Sequence, residues 1–255
     1  MSAYVPPQHG AWAFLALPLV FGFVVTPWTP LLVVLAVAWI AAYPLSYAAL
    51  GLVRAKRPQR FRRPFLVWSA LVFPAVVVLL VWRPWLLWIG LAYAVLFAIN
   101  LGYARHNNER ALGNDLVFVA ECSAMVAVTW AVGAGSDSWS PPSMTDIPVQ
   151  VWVLGFVCAM VLTGSTLHVK SLIRERRDTR YARGSRAFAV ACVPASIALA
   201  FWWGWPDGAW LIPPFLVLAV RAFLVGRHPM RPGMIGIIEL GGFLLAAACA
   251  LLASR

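Results

Sequence analysis

Charged residues are scarce in this chain of 255 residues. They make up 11% of it, and only nine are acidic, whereas 62% of the residues are hydrophobic. Soluble domains are about half apolar and about a quarter charged, so the composition excludes a soluble globular enzyme. Disorder is excluded too, because a chain with 14 Trp can bury far more apolar surface than ordering requires. The composition therefore predicts a protein embedded in lipid.

Cysteine motifs are also lacking. None of the four cysteines belongs to a C-x-x-C pair, and no pair of histidines lies nearby at a spacing that suits zinc. Free cysteines inside apolar runs behave as small buried hydrophobic residues. We therefore predict no disulfide, metal or catalytic role for Cys122, Cys158, Cys192 and Cys249.

Nine apolar runs follow one another along the chain, separated by charged residues, Pro or Gly. They cover residues 10–26, 31–53, 64–82, 84–104, 114–133, 149–169, 187–204, 208–225 and 234–253. Because about 20 apolar residues cross a bilayer as a helix, the runs predict an all-α, polytopic transmembrane helix bundle with about nine spans. We expect one helical domain over residues 1–255. The first run lacks the basic flank and small-residue cleavage site of a signal peptide, so we expect it to be retained.

The basic residues are distributed unevenly between the loops. Of the 20 Lys and Arg residues, 18 lie in or next to the loops that follow the even-numbered runs. Short loops rich in Lys and Arg stay in the cytoplasm, which places the amino terminus inside and the carboxyl terminus outside. The net charge of +11 is thereby explained by orientation and by anionic headgroups. We expect membrane lipids as partners and no nucleic acid.

Two acidic residues lie within apolar runs, Glu121 in the fifth and Glu239 in the ninth. A charge at membrane depth costs roughly 2.5–3.5 kcal/mol, so each needs a reason. Asn114 and Glu121 are two helical turns apart and share a face, with Asp115 beside Asn114 and Glu121 roughly 10 Å deeper. This acidic stripe indicates a functional site. Alternatively, Asn114 or Asp115 caps the helix, and Glu121 pairs with a basic residue.

The end of the sixth run is the richest polar stretch. On a continuous helix one face carries His168, Ser171, Glu175 and Asp178, and the neighbouring face carries Lys170, Arg174 and Arg177. One edge could hold a divalent cation through carboxylate oxygens, and the other could hold phosphate oxygens through cationic side chains. The alternative is a helix end with intrahelical ion pairs and arginines that orientation already requires.

Two shorter polar segments lie at the same predicted face. His9 is followed by Gly10 at the start of the first run, where free backbone N–H groups and the helix dipole could bind an anion. It could equally be a cap and interfacial anchor. The second segment, with Arg105 and Asn107, precedes the fifth run and is either a substrate-binding turn or a solvated loop.

The amino-terminal sequence Pro7-Gln8-His9-Gly10-Ala11-Trp12, followed by Pro18, Gly22 and the helix with Asn114-Asp115, resembles the YwiC-like family of bacterial integral membrane proteins. The resemblance extends along nearly the whole chain. It implies a multi-pass protein of the bacterial plasma membrane and no particular reaction.

The topology also resembles the UbiA superfamily of intramembrane prenyltransferases. In those enzymes, aspartate-rich loops after spans two and six bind a prenyl diphosphate through magnesium. Residues 60–64 resemble the basic end of the first motif, and residues 168–186 stand where the second would stand. The chain departs from the pattern, because the loop after the second run has no acidic residue and Glu175-x-x-Asp178 replaces D-x-x-x-D.

This second resemblance implies a transferase that acts on a prenyl or lipid diphosphate at the cytoplasmic face, with Mg²⁺ as cofactor. We assign the roles as follows: catalysis to Glu121 and His168; substrate binding to His9, Arg105, Asn107, Lys170, Arg174 and Arg177; metal binding to Asn114, Asp115, Glu175 and Asp178. Two alternatives remain open. One is a transporter with Glu121 and Glu239 as cation or proton sites, and the other is a non-catalytic lipid-binding or accessory protein.

Overall fold

A computed structural model describes residues 4–6, 9–106, 108, 110–135, 138–225 and 230–255, without the side chains of His9 and Arg54. Within these ranges the chain forms α-helices with short π and 3-10 segments and no strands. The helices are α1 (His9–Val24), α2 (Pro30–Arg54), α3 (Gln59–Trp82), α4 (Leu86–Arg105), α5 (Leu112–Ala134), α6 (Val149–Val169), α7 (Thr179–Trp203), α8 (Pro213–Leu224) and α9 (Pro232–Ala253).

Each predicted apolar run coincides with a helix, so the polytopic all-α architecture is confirmed. Eight helical segments in the described chain are long and apolar enough to cross a membrane. The remaining helix, α1, has 16 residues and lies mostly within the protein, with side chains such as Leu15 and Phe21 buried. It packs against α5, α6 and α9.

Proline sets several helix starts. Pro30, Pro213 and Pro232 occupy the first positions of α2, α8 and α9, where the missing N–H has no intrahelical partner to lose. The run predicted over 208–225 is divided for the same reason: a 3-10 turn, Asp207–Leu211, precedes Pro213-Pro214, and the α-helix begins only there.

The start of α7 lies eight residues before the predicted run. Asp178 caps this helix, because its Oδ1 accepts a hydrogen bond of 2.8 Å from the backbone N–H of Arg180. The basic residues that follow are therefore helical and not part of a loop. In the same helix, Ser185 and Arg186 line a cavity together with residues from the end of α6.

Contacts between helix ends confirm that the helices alternate in direction. At one end of the bundle, Lys170 after α6 pairs with Asp115 near the start of α5. At the other end, the Arg83 Nε after α3 donates to the carbonyl of Val132 in α5 at 3.0 Å. The even-numbered loops thus share an end, as the charge distribution predicts. The assignment of that end to the cytoplasm stays a prediction.

The core lies along α5 and α6, where Val126, Leu154 and Leu162 are fully buried. By contrast, α3 and α4 bury almost nothing: Pro64 and Leu79 in α3 and Ala104 in α4 are their buried residues. Large apolar side chains such as Phe73 and Val95 are exposed there. These two helices therefore form a lipid-facing side of the bundle, and the polar residues that can form a site lie elsewhere.

Candidate functional site

A cavity of about 190 Å³ lies at the end of the bundle that α6, α7, α8 and α9 share. Its polar lining comes from the end of α6 and the start of α7, and its apolar lining includes Ala222 of α8 and Ile235 of α9. The polar residues of the lining are His168, Ser171, Arg176, Ser185 and Arg186. In this cavity, buried polar groups and exposed charged groups therefore face the same open space.

His168 is the most buried polar residue of this cavity. Its side chain is 2% exposed, and its Nε2 has no hydrogen-bond partner among the described residues. A buried polar atom without a partner is costly, and in a cavity it favours a ligand or water that supplies the missing bond. The prediction from sequence that His168 belongs to a site therefore has a structural counterpart.

Hydroxyl and guanidinium groups surround the histidine. Ser171 and Ser185 are buried, and the Ser171 hydroxyl donates to the carbonyl of His168 at 2.7 Å, which leaves its oxygen able to accept. Arg176 and Arg186 are exposed and carry positive charge at the rim. The guanidinium of Arg186 also lies 5.7 Å above the ring of Phe223 in α8. No carboxylate belongs to the described lining, so the site attracts anions.

A buried ion pair lies next to the cavity. Arg221 Nη1 of α8 and Glu239 Oε2 of α9 are 2.5 Å apart, and both side chains are less than a tenth exposed. Arg221 is close enough to His168 to act on it electrostatically, and Ser165 of α6 faces the same carboxylate. Arg221 is one of the basic residues counted next to the even-numbered loops; the structure places it within α8, buried in this pair.

Lys170 does not point toward the cavity. Its Nζ lies 2.7 Å from Asp115 Oδ2 and donates to the carbonyl of Arg110. The Lys170 side chain is 3% exposed, so its positive charge is compensated by Asp115 at the contact between α5 and the end of α6 and does not face a ligand. The roles predicted for these residues, phosphate binding by Lys170 and metal binding by Asp115, have no support from this contact.

The regular α-helix that the shared face requires does not continue beyond residue 169. A π-helical segment, Lys170–Arg174, follows α6, and the chain leaves the helix at Glu175. The predicted shared face is therefore broken: His168 and Ser171 line the cavity, whereas Glu175 and Asp178 do not. Arg174 ends the π-helical segment and Arg177 lies on the turn before α7, and these arginines line another, open surface pocket together with the two acids.

The predicted Mg²⁺ ligands do not assemble. In the described part of the chain no three His, Cys, Asp or Glu residues are grouped so that they could hold a metal ion. Asp115 is engaged with Lys170, and Asp178 caps α7. The described donor set thus does not fit the magnesium clamp that the UbiA resemblance implies, and we derive no step through a metal.

The fifth helix begins at Leu112, so Asn114 and Asp115 lie in its first turn and do not cap it. Glu121 lies deeper, outside the cavity lining, and its Oε1 accepts a hydrogen bond of 3.1 Å from Asn100 Nδ2 of α4. The alternative interpretation, in which Glu121 pairs with a basic residue, has no counterpart among the described residues, and Glu121 and His168 do not share the cavity.

Three predicted binding residues are not found in the cavity lining. One lies elsewhere, and the other two belong wholly or in part to the residues that the structure does not describe. Arg105 is exposed at the end of α4, and Asn107 lies outside the described residues. His9 begins α1, while its side chain lies outside the described ones. Nothing in the structure therefore tests Asn107 or His9 as anion-binding groups.

Sequence reasoning missed Arg176, Ser185 and Arg186 as members of the site. The arginines were interpreted only as orientation signals, and Ser185 fell in a supposed loop. An earlier start of α7 would have been detectable from Asp178, because Asp is a preferred N-cap residue. It would have placed Ser185 and Arg186 on consecutive positions of one helix near the end of α6.

Together, the lipid-facing helices and the basic cavity at one end define a polytopic helical membrane protein with a candidate anion site. Comparison with known proteins gives the particular family. The model of YwiC-like proteins matches residues 5–130. Protein YwiC of Bacillus subtilis (strain 168) is 31% identical over 261 residues, which cover 98% of both chains. The chain therefore belongs to the YwiC-like family.

A second relative comes from Haemophilus influenzae. It is 26% identical over 196 residues, which cover 75% of this chain and 76% of the relative. Both relatives are described as uncharacterized. No solved structure has significant similarity to the chain.

Proposed function

We propose that this YwiC-like membrane protein binds the phosphate or diphosphate headgroup of a prenyl or lipid molecule in the cavity between α6, α7, α8 and α9. The observation that carries the proposal is His168, which is 98% buried, lines the cavity and has an Nε2 without a hydrogen-bond partner among the described residues. The two rim arginines supply the charge that a phosphate needs.

A lipid source for the ligand is supported by the surroundings of the cavity. Residues of α8 near the cavity, such as Phe223 and Leu224, are apolar and exposed, and α8 is part of an apolar segment able to cross a membrane. A headgroup held at this end of the bundle can thus keep its hydrocarbon chain among lipids. We further propose that the protein resides in a bacterial plasma membrane with this end in the cytoplasm, in accord with the charge of the loops.

Binding, without turnover, is the function that the geometry supports best. A prenyl transfer needs groups that help diphosphate to leave and that deprotonate an acceptor. The described cavity lining supplies a histidine, two serines and two arginines and no carboxylate, and Glu121 lies elsewhere. Transferase activity would extend this proposal, and it should be tested after binding has been measured.

The direct test is a titration of the purified full-length protein in nanodiscs of neutral lipid. We expect farnesyl diphosphate to bind, and farnesol, which lacks the phosphates, to bind at least about tenfold more weakly, as expected if at least one charge-assisted contact is lost. A titration with inorganic diphosphate distinguishes a lipid headgroup from a free diphosphate as the ligand. If it binds as tightly as farnesyl diphosphate, the lipid part of the proposal is overturned, and if neither binds, the whole proposal is.

Variants locate the site. Loss of one charge-assisted contact costs about 1.5–3 kcal/mol, so Arg176→Gln and Arg186→Gln should each weaken binding by roughly 10- to 100-fold. Arg174→Gln is the matched control, since Arg174 lies in the same polar stretch but does not line the cavity. An equal loss of affinity in Arg174→Gln would indicate a general surface charge effect and contradict the proposed site.

The same titration tests the predicted cofactor. A site formed by arginines, serines and a histidine needs no metal, so we expect equal affinity with Mg²⁺ and with EDTA. A marked loss of affinity in EDTA would instead support the predicted ligands Asn114, Asp115, Glu175 and Asp178.

A further inference from the structure

Glu121 is a carboxylate within a membrane-spanning helix that has no cationic partner among the described residues. It is the tenth residue of α5 (Leu112–Ala134), and no ion pair between described residues involves it. Its contacts come from α4: Asn100 Nδ2 donates to Oε1 at 3.1 Å, and the Tyr93 hydroxyl donates to the Glu121 backbone carbonyl at 2.7 Å. The carboxyl group is therefore held at the α4–α5 contact by neutral groups.

The other helices packed against α5 bring no cationic side chain to Glu121 among the described residues. These helices are α1, α2 and α6, and the titratable groups that they bring toward this part of α5 are Tyr43 of α2, near Cys122, and Cys158 of α6. None of them is cationic, and α1 contributes apolar and aromatic side chains such as Phe14, which stacks on Phe118. Within the described part of the chain, an ionised Glu121 would therefore have no compensating charge.

Glu239 provides the contrast within the same protein. It too lies in a membrane-spanning helix, and its carboxylate is 2.5 Å from the guanidinium of Arg221. The cost of an isolated charge in a low-dielectric medium is avoided either by such a pair or by protonation. Glu239 forms an ion pair, whereas Glu121, which has no cation beside it among the described residues, can avoid the cost only by protonation.

Asn100 can serve both protonation states of Glu121. Its Nδ2 donates to the ionised carboxylate, whereas its Oδ1 is buried and accepts no hydrogen bond among the described residues. The hydroxyl of a protonated carboxyl is the donor that such an amide oxygen lacks. From this arrangement we propose that Glu121 with Asn100 forms a reversible proton-binding site at the α4–α5 contact, occupied by a proton at neutral pH.

The proposal is independent of ligand binding in the cavity, because Glu121 does not line it. The proton comes from water and returns to it, and no other reactant is needed. Glu121 is only partly buried, so its carboxyl group is open to small reagents dissolved in the bilayer.

A hydrophobic carbodiimide tests the proton directly. The acid proton goes to a carbodiimide nitrogen, the carboxylate oxygen adds to the central carbon, and rearrangement gives a stable acylurea. We expect the wild-type protein in nanodiscs at neutral pH to be modified at Glu121, as mass spectrometry of its peptides would show, and Glu239 to be unmodified. Absence of the Glu121 adduct, or equal modification of Glu239, would overturn the proposal.

Asn100→Lys gives the sharper comparison. An ammonium group beside Glu121 should keep the carboxylate ionised and lower its modification by about tenfold or more, while Asn100→Gln, which keeps the amide, should remain modified. Unchanged modification in Asn100→Lys would mean that the reagent reports access and not the proton, which contradicts the proposal. The infrared band of a protonated carboxyl provides a second readout on the wild type: its loss in Glu121→Gln is expected, and its persistence there would overturn the assignment.

Discussion

Arg221 of α8 and Glu239 of α9 form an ion pair of 2.5 Å in which both side chains are less than a tenth exposed. Arg221 also acts electrostatically on His168 of the cavity, so the charges buried next to the cavity compensate one another. The rim arginines carry the positive charge that remains. The charge of Arg221 is thus neutralised within the fold, whereas the charges of Arg176 and Arg186 are available to a ligand.

Breaking this ion pair should destabilise the protein strongly. Glu239→Leu leaves the Arg221 cation buried without a partner, and we expect a loss of about 3–5 kcal/mol in the free energy of unfolding. The measurement is unfolding in mixed micelles with increasing denaturing detergent. The double variant Arg221→Met/Glu239→Leu removes both charges and should recover most of the loss. A single variant as stable as the wild type would show that the pair is not formed.

The contact between Lys170 and Asp115 predicts a smaller effect. Asp115→Asn weakens the compensation of a cation that is 3% exposed, while the carbonyl of Arg110 still accepts its hydrogen bond. We expect a loss of about 1–3 kcal/mol in the same unfolding assay. Asp146→Asn, in the exposed segment between α5 and α6, is the control and should leave stability unchanged. Equal stability of both variants would argue against the pairing.

Close packing of α1 on α5 predicts the effect of a single methyl group. A Cβ at Gly22 would lie 2.5 Å from the Cβ of Thr129, so Gly22→Ala should cost about 1–3 kcal/mol through overpacking. Gly90 in α4 has open space at the corresponding position. Gly90→Ala should therefore be neutral or stabilise by roughly 0.5–1 kcal/mol, since Ala favours a helix. The two melting temperatures should move in opposite directions or differ clearly; identical values would contradict the packing.

The direction of the chain can be measured with single cysteines. The four native cysteines are buried and should not react. An impermeant maleimide should label Ser143→Cys on intact cells but label Arg62→Cys only after lysis, because Arg62 lies in the first turn of α3 and this end of the helix is predicted to be cytoplasmic. Both positions are exposed. The opposite pattern would reverse the orientation and place the cavity at the outer face.

The helices could be predicted from the sequence because apolar runs and proline determine where a chain can cross a bilayer. The pairing of Arg221 with Glu239 could not, since it depends on how α8 packs against α9. The sequence shows each residue separately: Arg221 as a basic residue near a loop, and Glu239 as an acidic residue within an apolar run. Only the contact shows that they compensate one another.

The site was predictable in its residue types but not in its register. A π-helical turn contains more residues than an α-helical one, so the segment Lys170–Arg174 changes the direction of every later side chain. His168 and Ser171 stay on one side, whereas Glu175 turns away from the cavity. The predicted metal face required a regular α-helix through this segment, and a pattern of types and spacings does not reveal such a local change.

The difference in length between α1 and α3 has a consequence for the bilayer. With 16 residues, α1 is about 24 Å long, less than the ~30 Å of a hydrocarbon core, whereas the 24 residues of α3 reach about 36 Å. Because most side chains of α1 are buried or half-buried whereas α3 is largely exposed to lipid, the bilayer contacts the long helix much more than the short one. Membrane thickness should therefore act on this protein through the tilt of α3 and its neighbour α4.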